Sequence, residues 1–323
     1  MVQWRDFRKF RVVEPTSCVN FAAMSARTFI IPASDPFSFD ECLWFLDRGF
    51  DECMHTILPA RVRKLVPLPG NPVLVDLRAH PEGIMAELLE GDVNLGTEAA
   101  LRAYIHEWLA PQQDILPFYD KLARIPAMAY MPEAFKGLRL IGIPDLFEAL
   151  AWSIIGQQIN LPFAYRLKRR MVERWGESYD FGGTAYHLFP APSVMAQADP
   201  AELRAMQFTG RKAEYITGVA KQFAEGHVSK AALLALPGLE VRRKALTDLR
   251  GIGIWSANYA LMKSLRDATC IPHGDAGLLN ALLSHQLISD KSDQAAMEKL
   301  YRKFKGWESY MVAYLWRSLA VKS

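Results

Sequence analysis

A lone carboxylate, Asp275, stands in Cys270–Gly277 (CIPHGDAG), between a proline and glycines and at the start of a helical pattern. Trp255 and Tyr259 are four residues apart, so they share one face of an earlier helix, and Trp316 lies on the last helix in the sequence pattern. One carboxylate among indoles is a poor metal site but a good place to hold a flat base while its bond to a sugar breaks. Breaking that bond leaves an oxocarbenium-like sugar, which a nearby carboxylate stabilises by charge while it orients water. Purines alkylated at N3 or N7 are cationic, so electron-rich ring faces attract them and they leave without a strong general acid. Plainer roles stay open at this point. Asp275 also fits the N-cap of the helix after it, where the helix dipole favours negative charge, and the three aromatics also fit a core. His273 either contacts a phosphate or shapes the loop.

Just upstream, Leu249–Met262 (LRGIGIWSANYALM) sets Gly251 and Gly253 either side of Ile252. Two glycines this close let the chain turn tightly and point successive N–H groups outward, and the helix that begins there adds its positive end. Such a turn grips one phosphate of a nucleic-acid backbone without reading sequence, with Ile252 packing it onto the flanking helices. A simple corner between two helices, with glycine as its C-cap, fits the same glycines. The helix before the turn, Glu240–Asp248, is basic through Arg242, Arg243 and Lys244.

Two textures of chain position these residues. Up to about Asn94, short apolar runs broken by Pro and Gly predict strands at Thr28–Ile31, Val62–Val66 and Val73–Leu77. Between them the spacing predicts a helix over Phe39–Arg48, capped by Asp40 and stopped by Gly49, and a second over Glu82–Glu90. From Thr97, taken as a cap, the pattern is helical throughout, from Thr97–Leu109 to Trp307–Ala320. The expected fold is therefore α+β: an accessory domain over residues 1–96, then an all-α domain over 97–323. Its two lobes are expected over roughly 119–269 and over 97–118 plus 270–323.

Net charge is only +3, but it is unevenly placed. Met1–Tyr130 carries 13 Lys and Arg against 17 Asp and Glu, while Met131–Ser323 carries 25 against 18. A basic helical part suits a phosphate-bearing partner, although an ordinary basic surface gives the same count. The four cysteines, Cys18, Cys42, Cys53 and Cys270, show neither zinc nor redox spacing and read as free thiols. Met1–Arg11 lacks the apolar run of an export signal, and no stretch approaches the ~18 apolar residues of a membrane helix. A cytoplasmic location, nucleoid-associated in a bacterium, is the expectation.

Together these residues resemble the helix-hairpin-helix DNA glycosylase superfamily, and within it the bacterial 3-methyladenine DNA glycosylase II group. LRGIGIWSANYAL followed by IPHGDAGL carries the likeness, and it extends to Gly142–Asn160, Phe208–Ala220 and Pro32–Gly49, hence over most of the chain. The resemblance implies an accessory domain with an antiparallel sheet before a two-lobed all-α glycosylase domain. It implies Asp275 as the catalytic carboxylate and Trp255, Tyr259 and Trp316 as the base pocket. Leu249, Gly251, Ile252 and Gly253 match the DNA-backbone hairpin, where the carbonyls of Leu249 and Ile252 would hold a sodium or potassium ion. The wedge that fills the flipped base's gap falls on Gln157 and Gln158, where the best-known member has an apolar residue. Arg211, Lys212 and His273 are further DNA contacts.

Relatives that also cut the strand have Lys where this chain has Trp255, so the resemblance implies a monofunctional enzyme that leaves an abasic site. No Cys follows Cys270, so the iron–sulfur loop of other relatives is absent. No cofactor is required, the partner is double-stranded DNA carrying a damaged base, and a monomer suffices. Two other readings stand beside this one: a glycosylase for oxidised or deaminated purines, which would use a polar pocket or a lysine, and a non-catalytic damage-binding protein, which would lose Asp275.

Overall fold

The computed structural model describes residues 27–68, 70–91 and 94–321. Met1–Arg11 and Cys18, which entered the export and thiol expectations, lie outside these.

The chain opens with β1 (Thr28–Pro32), α1 (Phe39–Leu46), β2 (Thr56–Leu58), β3 (Arg61–Val66), β4 (Val73–His80) and β5 (Gly83–Glu90). The strands form one antiparallel sheet in the order β1-β5-β4-β3-β2. All three expected strands are present. Glu82–Glu90 is not a helix, however, but strand β5, central in the sheet and paired to both β1 and β4. Its Met, Ala, Leu and Glu residues favour helix locally. Pairing on two edges, with Ile84, Ala86 and Leu88 alternating into the core, overrides that preference.

Helix α1 is capped by Ser38, whose Oγ accepts from Glu41 N at 3.1 Å, and not by Asp40. Helix α2 (Leu95–Leu109) is capped by Asn94, whose side chain accepts from Thr97 N at 2.9 Å, and not by Thr97. In both cases an oxygen-bearing side chain three residues before the bonded N–H was available, and the cap moved to it. α2 packs Leu101, Ile105 and Trp108 into the sheet's core. A boundary at residue 96 thus separates chain textures, not cores.

The helical part comprises α3 (Leu116–Ala123), α4 (Met131–Ala134), α5 (Leu146–Ile155), α6 (Leu161–Trp175), α7 (Pro192–Met195), α8 (Pro200–Ala205), α9 (Gly210–Ala224), α10 (Lys230–Ala235), α11 (Gly238–Thr247), α12 (Ile254–Ser264), α13 (Ala276–Ser284), α14 (Gln294–Lys303) and α15 (Glu308–Ser318). It is not purely α. Between α6 and α7, β6 (Ser178–Phe181) and β7 (Thr184–His187) form a hairpin around Gly182 and Gly183, both at positive φ. Buried Tyr186 of this hairpin packs on Leu65 and Leu74 of the sheet.

The helices share one apolar core, in which α12 packs against α5 and α13 against α15. Arg317 of α15 clamps this core to α1, bonding Glu41 at 2.7 and 3.1 Å and lying 3.8 Å over the Trp44 ring. Among the described residues no helix is long and apolar enough to cross a membrane.

Candidate active site

A cleft of about 1130 Å³ opens between α1, α5, α6, α12 and the loop that starts α13. Asp275, Trp255, Tyr259, Trp316, Gln157 and Gln158 all line it.

Asp275 caps α13. Its Oδ1 accepts from Leu278 N at 2.7 Å and from Trp316 Nε1 at 2.9 Å, and its Oδ2 from Trp255 Nε1 at 3.3 Å. The cap and the candidate catalyst are therefore one side chain, held by two indoles from two different helices. Trp255 also stacks on Tyr259, with ring centroids 5.5 Å apart and planes 20° apart. Burial raises the pKa of the Tyr259 phenol, so it stays neutral. Gly277 keeps this corner open: a Cβ there would press on Asp275 Oδ1 and the Trp316 indole at 3.2–3.4 Å. The loop before Asp275 is fixed from behind by Asn258, whose Nδ2 donates to the Ile271 carbonyl at 2.7 Å, and by Ser309, whose Oγ donates to the Asp267 and Cys270 carbonyls. Neither residue stood out in the sequence, because small buried polar residues leave no periodic signal.

The turn Leu249–Gly253 matches the expectation in part. Ile252 is buried, and its N–H donates to the Leu249 carbonyl at 3.1 Å. Gly251 has φ +94°, and an added Cβ would overlap the Tyr215 ring, so only glycine fits. Gly253 differs: its φ is −88° and a Cβ would meet nothing within 4 Å. The exposed Ile254 follows at the start of α12.

The two glutamines separate. Gln157 Nε2 donates to the Gly251 carbonyl and to Ser256 Oγ, both at 3.3 Å, and so braces the turn. Gln158 is exposed, with φ +55°. Arg211 is exposed at the start of α9, whereas Lys212 is buried and its Nζ donates to the Ile155 carbonyl at 2.8 Å. Lys212 therefore holds the end of α5 under the glutamine loop and does not face outward. His273 is exposed, edge-on to Tyr301, and partial burial and then Arg243 hold its pKa below the usual histidine value. The charges that make α11 basic are largely engaged: Arg242 on the Leu233, Leu234 and Leu236 carbonyls, Arg243 on Glu240, and Lys244 on Asp248. Among the described residues no three His, Cys, Asp or Glu side chains form a metal-binding group.

Residues 151–306 match the model of the HhH-GPD superfamily of base excision DNA repair proteins. A DNA-3-methyladenine glycosylase of Bacillus subtilis is 34% identical over 293 residues, which cover 90% of this chain and 96% of the relative. DNA-3-methyladenine glycosylase 2 of Escherichia coli is 29% identical over 191 residues, covering 59% of this chain and 64% of the relative. The solved structure of a 3-methyladenine DNA glycosylase from Archaeoglobus fulgidus superimposes with a TM-score of 0.78 at 22% identity, over 92% of this chain and 99% of that one.

Proposed function

This chain belongs to the HhH-GPD superfamily of base excision DNA repair proteins, and from that premise we propose that it hydrolyses the N-glycosidic bond of flipped-out alkylated purines, of the 3-methyladenine and 7-methylguanine type, leaving an abasic site. The observation that carries this reading is the setting of Asp275: one carboxylate, held by two indole N–H groups at the mouth of an aromatic cleft, beside a glycine turn. Trp255 and Tyr259 offer stacked faces to a cationic base. Asp275 stabilises the developing oxocarbenium and orients the attacking water. The departing base is already charged and needs no strong acid.

No amine stands where a lyase would need one. The cleft lysine on the same face of α12 is Lys263, eight residues or about 12 Å along the helix from Trp255, and it donates to the Ile141 carbonyl. A monofunctional hydrolysis follows.

The open space over Gly253 lets a DNA phosphate approach the start of α12. The Leu249 carbonyl keeps one lone pair free and the Ile252 carbonyl takes no backbone N–H among the described turn and loop bonds, so the pair suits a sodium or potassium ion. Such an ion would add positive charge toward that phosphate. Gln158 is the wedge of this reading, since Gln157 is committed to the turn. Arg211 and His273 are its remaining DNA contacts. Every group required comes from one chain, so a monomer suffices, in the compartment that holds the DNA.

A panel of duplexes carrying single lesions, scored for free base with and without alkali, tests the reading. Methylated purines should be released, with strand breaks appearing only after alkali and no borohydride-trapped adduct. Nicking without alkali would overturn the monofunctional assignment, and release of oxidised purines alone would overturn the substrate class.

A further inference from the structure

We propose that Glu148 is a second carboxylate of the base pocket, one that accepts hydrogen bonds from the N–H edge of the flipped purine and so sets lesion choice; this rests on the base-excision reading above. Glu148 sits in the first turn of α5 and is only 8% exposed. Its Oε1 accepts from Lys168 Nζ at 3.1 Å. Lys168 also bridges to Glu52 at 3.4 and 3.5 Å, and Glu52 is in turn fixed by the N–H groups of Cys53 and Met54, both at 2.7 Å. Oε2 of Glu148 has no hydrogen-bond partner among the described residues and is not sealed in the interior, and Glu148 lines the same cleft as Asp275. A buried, charged side chain thus offers a free acceptor to that cleft.

The two carboxylates line one cleft together with aromatic rings. Trp152 lies one helical turn beyond Glu148, its ring 5.6 Å from Lys168 Nζ and 4.8 Å from the Tyr165 ring. Trp152 and Tyr259 both line the cleft, and Tyr259 stacks on Trp255, whose indole holds Asp275. Ring faces grip any flat base and are blind to its edge. In an N-alkylated purine the positive charge spreads onto edge N–H groups: the 6-amino group of 3-methyladenine, or N1–H and the 2-amino group of 7-methylguanine. A carboxylate oxygen bonds such polarised donors roughly twice as strongly as neutral ones. A purely structural role is already filled, since Glu52 alone can pair Lys168. The neighbouring buried amine, Lys64, is taken by the Met54 carbonyl at 2.9 Å.

The test compares duplexes carrying 3-methyladenine or 7-methylguanine with one carrying 1,N6-ethenoadenine, a neutral purine with no N–H on that edge. Glu148→Gln keeps the Lys168–Glu52 pair and should lower the single-turnover rate on the methylated purines about tenfold or more. Affinity for the ethenoadenine and abasic duplexes should stay within about twofold, since those complexes lack the bond. Equal losses on all duplexes, or no loss on the methylated ones, would overturn the proposal. Failure of the unaltered protein to release any methylated purine would instead remove the base-excision reading. Should Glu148→Gln not fold, Glu148→Asp, which draws the free oxygen back by one methylene, is judged on the same comparison.

Discussion

Replacing Asp275 by Asn separates its two roles, because each is tied to a different oxygen. Oδ1 carries the two short bonds, from Leu278 N and Trp316 Nε1, and the Asn carbonyl reproduces both. The Asn amide then takes the place of Oδ2 and points a donor at the Trp255 N–H, which stood 3.3 Å away. Losing that bond costs about 1 kcal/mol, and losing a negative charge at a helix start costs about 0.3–1 kcal/mol more. The melting temperature should fall by only about 2–5 °C for a chain of this size. Catalysis suffers more. A unit charge about 4 Å from the anomeric carbon, at an effective dielectric near 20, contributes about 4 kcal/mol to an oxocarbenium-like transition state. Its removal should slow single-turnover base release about a thousandfold. Affinity for an abasic-site duplex should stay within about threefold, since the turn proposed to contact backbone is untouched. Asp275→Ala should be as slow as Asn but less stable by about a further 1 kcal/mol, because it also removes the cap. Single-turnover release from methylated DNA, abasic-duplex titration and thermal melting read these three effects apart. A rate loss below about tenfold, or one matched by an equal loss of binding, would refute the electrostatic role.

Two further outcomes test the surrounding frame. Gly251→Ala places a side chain at φ +94° and into the Tyr215 ring, so it should lower both stability and duplex affinity. Gly253→Ala meets no protein atom, so it should leave the melting temperature alone yet weaken binding; a silent Gly253→Ala would count against phosphate approach there. Lys263 is the second case. Burial first, then Arg266 and Arg48, bring its pKa from 10.5 to about 7. Between those values the unfolded chain holds more protons than the folded one, so this group's effect on stability improves as pH rises from 7 to 10.5. Lys263→Met removes the penalty and should stabilise by up to about 4 kcal/mol at pH 7 and about 2 kcal/mol at pH 9, less the lost bond to the Ile141 carbonyl. A gain that does not shrink with pH in denaturant titrations would refute this account.

What could be read in advance followed local chemistry. The Gly251–Ile252–Gly253 turn, the helix after it and the four-residue spacing of Trp255 and Tyr259 are backbone and periodicity effects, legible in the residues themselves. Strand β5 was not, because MAELLE is helical by propensity and becomes a strand only through partners on both sides. The Gly182–Gly183 hairpin did leave a signal, a glycine pair between alternating runs, but the helical texture around it masked it. The Glu148–Lys168–Glu52 cluster was beyond reach. Its members are up to 116 residues apart in sequence and come from α5, α6 and the loop before β2. Nor does sequence say that a basic helix such as α11 has engaged its own charges. That depends on which acceptors lie within reach of Arg242, Arg243 and Lys244 after folding.

The helix cap made by Asp275 and the catalytic role proposed for it are not in competition; the first makes the second possible. A free carboxylate on a loop would have to be ordered during the reaction. Here Leu278 N and the Trp316 indole fix one oxygen before substrate arrives, so the charge is already in place when the sugar becomes cationic. The other oxygen accepts a single longer bond from Trp255 and retains lone pairs for water or for the sugar's positive charge. In the proposed mechanism, position 255 then decides the course of the reaction. An amine there could attack the anomeric carbon and keep the sugar, whereas an indole N–H can only orient the carboxylate and lend its face to the base. Water is left as the nucleophile. In the proposed mechanism the same tryptophan would favour a charged base by stacking and confine the chemistry to hydrolysis.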